Sequence, residues 1–197
     1  MDNPVKCIFI GDNGVGKTSI LNTFITHYFD ESNVYSYFDE QETNIQVGNK
    51  TSKIRLRELY NIEEFQSLEE YTYNEQIVDI FALCFSIISP ESFENVTNKW
   101  IIQVKSSFPK IPVILIGTKI DLRTDPTQIS QLESQGFFPF DFNSGLQLAK
   151  QIGAFTYIEC SSKTQENLTQ IFEEIARYFN SKRLSSENSK KIRCQII

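Results

Sequence analysis

The sequence predicts an α/β domain, a mostly parallel sheet of six strands with helices on both faces. Three observations predict it. Continuous apolar runs recur at 5–10, 80–85 and 113–116, as expected of central parallel strands covered on both faces. Segments with a 3.6-residue apolar period separate those runs. The first strand also opens directly into a glycine-rich loop and then a helix, which puts a ligand at the carboxyl ends of the strands.

In chain order, Val5–Ile10 reads as the first, buried strand, and Ile20, Leu21 and Phe24 mark one face of the helix that follows the loop. Asn44–Val47 and Ser52–Leu59 alternate in polarity around Gly48-Asn49, the signature of a hairpin. Ile80–Phe85 is the next strand. Ser89-Pro90 is an N-cap followed by proline at the first helical position, with Phe93, Val96, Trp100, Ile101 and Val104 on one face. Val113–Ile116 is a strand, Asp125-Pro126 starts a short helix at about 125–135 carrying Ile129 and Leu132, and Phe155–Cys160 is a last strand. Leu168, Ile171, Phe172, Ile175, Ala176 and Phe179 mark the closing helix. After Asn180 the periodicity stops, so residues 1–180 form the domain and 181–197 a flexible tail.

A chain of 197 residues is long enough for one such domain and short for two. No apolar run has the length of a membrane span, and the first ten residues lack a signal peptide's charged start and long apolar stretch. Cys7, Cys84 and Cys160 lie in strand-like apolar runs, where a free thiol packs as a small hydrophobe, and the four cysteines show no paired spacing. That usage suits a reducing cytosol. The single histidine, His27, sits late in the first helix, which argues against histidine-based metal or triad chemistry. Charge is split. From Lys182 onward five Lys/Arg face one acid, Glu187, a balance of +4, so the −6 of the whole chain leaves −10 for the rest. An acidic body argues against nucleic acid as the main partner, and a basic tail suggests an anionic membrane surface.

Gly11-Asp12-Asn13-Gly14-Val15-Gly16-Lys17-Thr18 fits G-x-x-x-x-G-K-[ST] between a strand and a helix. Backbone N–H groups of such a loop converge on a phosphate chain at a helix N-terminus, whose dipole favours negative charge. Residues Asp12 to Ser19 would cradle the phosphates, with Lys17 reaching the terminal ones and the Thr18 hydroxyl ligating Mg²⁺. After the strand at 113–116, Thr118-Lys119-Ile120-Asp121 places a carboxylate that can accept both N–H groups of a guanine edge; adenine has no matching pair of donors. The Lys119 stem can lie along the base. Ser161-Ser162-Lys163, after the last strand, supplies backbone N–H groups toward the guanine oxygen.

With Cys84-Phe85-Ser86-Ile87-Ile88-Ser89-Pro90-Glu91-Ser92-Phe93-Glu94-Asn95-Val96, Lys99-Trp100 and Ile116–Arg123, the chain resembles the Rho/Rac branch of the Ras-like small GTPases over nearly its whole length. The short helix near 125–135 is similar to that branch's insert. The resemblance implies a P-loop small G domain binding GTP or GDP with Mg²⁺, working as a signalling switch on cytoskeletal effectors. It implies an exchange factor or GDP-dissociation inhibitor as further partners. It also implies that Phe29 stacks on guanine, that Ser36 ligates magnesium, and that Tyr37, Phe38 and Asp39 form the effector segment. Cys194-Gln195-Ile196-Ile197 takes the C-a-a-X form, with the basic run Lys190-Lys191-Ile192-Arg193 just upstream. A prenyl group on Cys194, with Ile197 leaning toward geranylgeranyl, and the basic tail would hold the protein on the cytoplasmic face of the plasma membrane or endomembranes.

The chain also departs from that family. Where the family reads Trp-Asp-Thr-Ala-Gly-Gln-Glu, this sequence reads Arg57-Glu58-Leu59-Tyr60-Asn61-Ile62-Glu63. Ile62 stands in the slot of the glutamine that orients the attacking water, and a hydrocarbon cannot do that. Asn61 replaces a glycine beside the γ-phosphate. Glu58 replaces the aspartate near magnesium, and one methylene moves a carboxylate by about 1.5 Å near an octahedral ion with ligands at about 2.1 Å. Asn13 replaces a loop glycine and crowds the water. The expectation is a binding switch with no intact catalytic residue and weakened hydrolysis. Two alternatives stand beside it: a normally cycling enzyme whose GTPase-activating protein brings the missing group, and a nucleotide-independent scaffold.

Overall fold

The computed structural model describes residues 3–31, 38–60 and 78–194, with side chains up to residue 182. One six-stranded sheet organises the chain, in the order β2-β3-β1-β4-β5-β6. Its strands are β1 (Val5–Ile10), β2 (Gln41–Val47), β3 (Lys50–Glu58), β4 (Ile80–Ser86), β5 (Val113–Thr118) and β6 (Thr156–Glu159). Only the β2–β3 pair is antiparallel, closed by the two-residue turn Gly48-Asn49 between the paired Val47 and Lys50. The mostly parallel sheet with helices on both faces is as expected.

The helices are α1 (Lys17–Thr26), α2 (Pro90–Asn95), α3 (Ile101–Ser107), α4 (Pro126–Glu133), α5 (Phe142–Ile152) and α6 (Leu168–Cys194). Side chains alternate across each strand, so the two faces of the sheet build two cores. Cys7, Phe9, Ala82, Cys84, Ile114 and Ile116 pack with α1 and α6, where the Phe24 and Phe172 rings stack with centroids 3.6 Å apart. Ile8, Ile10, Phe81, Leu83, Phe85 and Leu115 pack instead with Val96, Trp100 and Val104 and with Leu148 of α5. Both Pro-led helices start as their sequences predict. Ser89 accepts the Ser92 N–H, and Asp125 accepts the Gln128 N–H at 2.9 Å.

Two local features differ from the sequence reading. Between α2 and α3 the helix widens into a π-turn over Val96–Trp100, with the Ile101 N–H bonded to the Val96 carbonyl. The apolar residues at 96, 100 and 104 recur every fourth position, which fits both windings, so the pattern could not reveal the turn. The backbone of α6 also stays helical to Cys194, through the segment expected to be a flexible tail. A helix nucleated by the packed residues at 168–176 adds one backbone bond for each further residue, so a polar stretch without an apolar stripe can extend it. No helix among the described residues is long and apolar enough to cross a membrane.

Candidate functional site: a phosphate loop and a base pocket

The loop from Gly11 to Gly16 sits at the carboxyl end of β1 and runs into α1. Its glycines are needed for space as well as for backbone angle. Gly11 has φ +140, and a Cβ there would meet the Cys84 carbonyl oxygen at 2.3 Å. Gly16 has φ +102 at the N-cap of α1, where no side chain caps the helix and its first N–H groups are left for a ligand. Lys17 is 3 % exposed, and its ammonium folds back on the loop, donating to the carbonyls of Gly11 (3.0 Å) and Asp12 (3.1 Å). Asn13 and Gly14 are exposed at the tip, and Ser19 is half-buried behind them.

Glu58 ends β3, which pairs with β1 through Phe9. Its side chain does not turn away despite the extra methylene. Both oxygens lie by the Thr18 hydroxyl, at 2.9 and 2.8 Å, and Oε1 is 3.7 Å from the Lys17 ammonium. The Lys17 and Glu58 side chains are 3 % and 2 % exposed, so each compensates the other's buried charge. A hydroxyl has one proton and two lone pairs. Donating the proton to Glu58 leaves the Thr18 oxygen free to ligate a cation. The described residues hold no cluster of three His, Cys, Asp or Glu that could bind a metal by itself. The Thr18 oxygen, with a lone pair free beside the Glu58 carboxylate, fits Mg²⁺, which keeps waters and takes substrate phosphate oxygens alongside one or two protein groups. Bound there, Mg²⁺ would offset the charge of the terminal phosphates. Ser36, its other expected ligand, lies outside the described residues.

A hydrogen-bond clamp fixes the loop from the side. The Asp12 carboxylate accepts from the Trp100 indole N–H at 2.8 Å and from the Asn95 amide at 2.7 Å, and the Lys99 ammonium lies 3.9 Å away. Asn95 precedes the π-turn and Trp100 ends it, and the turn brings both donors to one carboxylate. Asp12 thus holds Lys17 through its carbonyl and is itself held by α2. Sequence reasoning placed Trp100 only as a core residue. Its N–H partner is far away in the chain, and no local pattern signals it.

The base side is built from the ends of β5 and β6. Thr118 is 2 % exposed, and its hydroxyl reaches the Val15 carbonyl and, at 3.1 Å, the Phe85 carbonyl, tying β5 to the phosphate loop. Lys119 adopts φ +63, and its Cε would lie 3.9 Å from a Cβ on Gly16, so the stem passes beside the phosphate loop. Burial pulls the Lys119 ammonium below its usual pKa, against the opposing pull of Asp121. Asp121 Oδ1 accepts from the buried Ser161 hydroxyl at 2.6 Å, which orients the carboxylate. The Ser161 N–H is taken by the Glu166 carbonyl at 3.1 Å.

Phe29 is half-buried in the segment after α1. Two bonds hold this segment against the base loop: Lys163 to Glu31 at 2.7 Å, and the Gln165 amide to the His27 carbonyl at 3.2 Å. His27 itself is exposed at the end of α1 with φ +56.

Of the expected effector residues, Tyr37 lies outside the described residues, Asp39 is exposed, and Phe38 is 3 % exposed within the α1–α6 core. The Phe38 ring is thus an anchor, and its N–H donates to the Tyr60 hydroxyl at 2.6 Å. Asn61 and Ile62 also lie outside the described residues, and of Cys194 only the backbone is described. Arg123, two residues beyond Asp121, donates to Glu159 at 2.7 Å and to the Phe140 carbonyl at 3.0 Å. It fastens the base-side turn to β6.

The model of the Ras family matches residues 6–181, from the middle of β1 into α6. Members of that family are small GTPases that bind GTP and GDP and typically Mg²⁺. This chain, over a span that runs through all six strands, belongs to the Ras family.

Proposed function

We propose that the protein is a Rho-like switch that holds GTP for long periods because its own hydrolysis is weak. It docks cytoskeletal effectors while loaded and works from a membrane to which prenylated Cys194 and the basic tail attach it. One contrast carries the reading. Lys17, the Thr18–Glu58 pair and Asp121 on Ser161, groups expected to grip nucleotide, are held by hydrogen bonds, whereas the sequence has Ile62 in the slot of the glutamine that orients the attacking water. Catalysis in this class is almost entirely positioning and electrostatics, so losing the positioning group removes rate without removing affinity. The geranylgeranyl leaning, the exchange factor and the GDP-dissociation inhibitor belong to the same reading.

The nucleotide that stays with the protein tests this. Protein purified rapidly in Mg²⁺ from cells, denatured and analysed by ion-pair chromatography should release mostly GTP. Release of GDP alone would favour a normally cycling enzyme, and release of no nucleotide would favour a scaffold.

A further inference from the structure

The surface formed by the start of α2, by α4 and by the loop at 134–142 takes no part in gripping nucleotide. A groove of about 480 Å³ opens there, with Ile88, Leu132 and Phe137 as its apolar lining, Glu91 and Glu94 along one side, and glutamine amides of α4 along the other. The loop and the first residue of α5 carry four phenylalanines between positions 137 and 142. Two lie against the domain: Phe140 stacks on Phe93 with centroids 3.9 Å apart, and Phe142 lies 5.3 Å from Tyr157. Phe137 and Phe138 make no ring contact among the described residues and are 42 % and 65 % exposed. Side-by-side exposed rings beside a groove are costly in water and mark a binding surface.

Charge identifies the occupant. Between Arg123 and Lys150 the chain has no Lys, Arg or His, only the acids Asp125, Glu133 and Asp141. Glu91 and Glu94 form no ion pair among the described residues. An anionic bilayer or a nucleic acid would be repelled by this rim, and the acidic body of a second copy would be too. We propose that the groove docks a basic segment of a partner protein. The segment seats one aromatic or large aliphatic side chain between α2 and α4 and sets Lys or Arg against Glu91 and Glu94. Anchor and rim divide the work, the apolar side chain giving affinity and the charges giving association rate and selectivity. This holds whether or not hydrolysis is slow.

The test is selection of phage-displayed random dodecapeptides on the full-length, unprenylated, GDP-loaded protein. Enriched peptides should join an aromatic or Leu to Lys or Arg. Their binding should fall more than about tenfold on Phe137→Ser/Phe138→Ser, as for loss of an interface anchor. It should also fall on Glu91→Gln/Glu94→Gln and weaken as salt is raised. All four side chains are at the surface, and unchanged thermal melting shows that the variants remain folded. Selected peptides that are acidic or uncharged, or that bind both variants as tightly as the wild type, would overturn the proposal, as would no enrichment at all. Sedimentation of the wild type with phosphatidylserine vesicles, lost on Phe137→Ser/Phe138→Ser, would also overturn it by assigning the rings to a lipid surface.

Discussion

The Thr18 hydroxyl gives its proton to Glu58 and keeps its lone pairs for a cation, while the same carboxylate balances the buried Lys17 ammonium. Glu58→Gln keeps the shape and removes the charge. Nucleotide-free protein should then lose about 3 kcal/mol, the low end for removing one member of a buried pair, since two carbonyls still hold Lys17. With saturating GDP the loss should be smaller, because phosphates supply the missing charge. Denaturant titrations with and without GDP measure the difference, and equal losses would show that Glu58 does not balance Lys17. The sequence made Lys17, Thr18 and Asp121 legible because each belongs to a short motif with fixed geometry. It could not show that Phe38 turns inward or that the Ser161 N–H is already used, since both depend on partners brought together only by folding.

At the scale of the element, what was legible followed from local chemistry. Ser89-Pro90 and Asp125-Pro126 cap their helices as written, and the apolar runs of β4 and β5 are buried at every residue. The π-turn was not legible, yet it brings Asn95 and Trp100 to the Asp12 carboxylate. π-turns inside helices frequently sit at functional sites. Trp100→Phe keeps a ring in the core and deletes one charge-assisted donor. A hydrogen bond to a charged group is worth about 1.5–3 kcal/mol, and part of that loss should appear as looser phosphate binding. The expected result is faster release of fluorescent GDP, by about tenfold if 1.4 kcal/mol of it reaches the bound state. Release at the wild-type rate would show that the clamp supports the core and not the loop.

Across the whole molecule the charge is divided, −10 on the domain and +4 on the segment from Lys182 to the end. A single lipid chain binds membranes marginally, and each Lys or Arg near an anionic leaflet adds about 1 kcal/mol. Cys194→Ser should therefore leave the protein in the soluble fraction of cell extracts; its persistence on membranes would place the anchor elsewhere. The fold was readable at this scale because strands and helices alternate with clear periods. Whether the site turns over was not, since hydrolysis depends on the placement of one water and not on any periodic pattern. The central claim is that this site grips GTP without cleaving it efficiently, and single-turnover phosphate release with Mg²⁺ measures that directly. An arginine finger alone is worth about 10³–10⁵ in rate for this class, so one missing positioned group can cost orders of magnitude. The wild type should release phosphate more slowly than an ordinary Rho protein, Ile62→Gln should restore part of the rate, and adding Asn13→Gly and Glu58→Asp should raise it by more than their separate effects. A wild-type rate equal to that of an ordinary Rho protein, unmoved by these substitutions, would contradict the account.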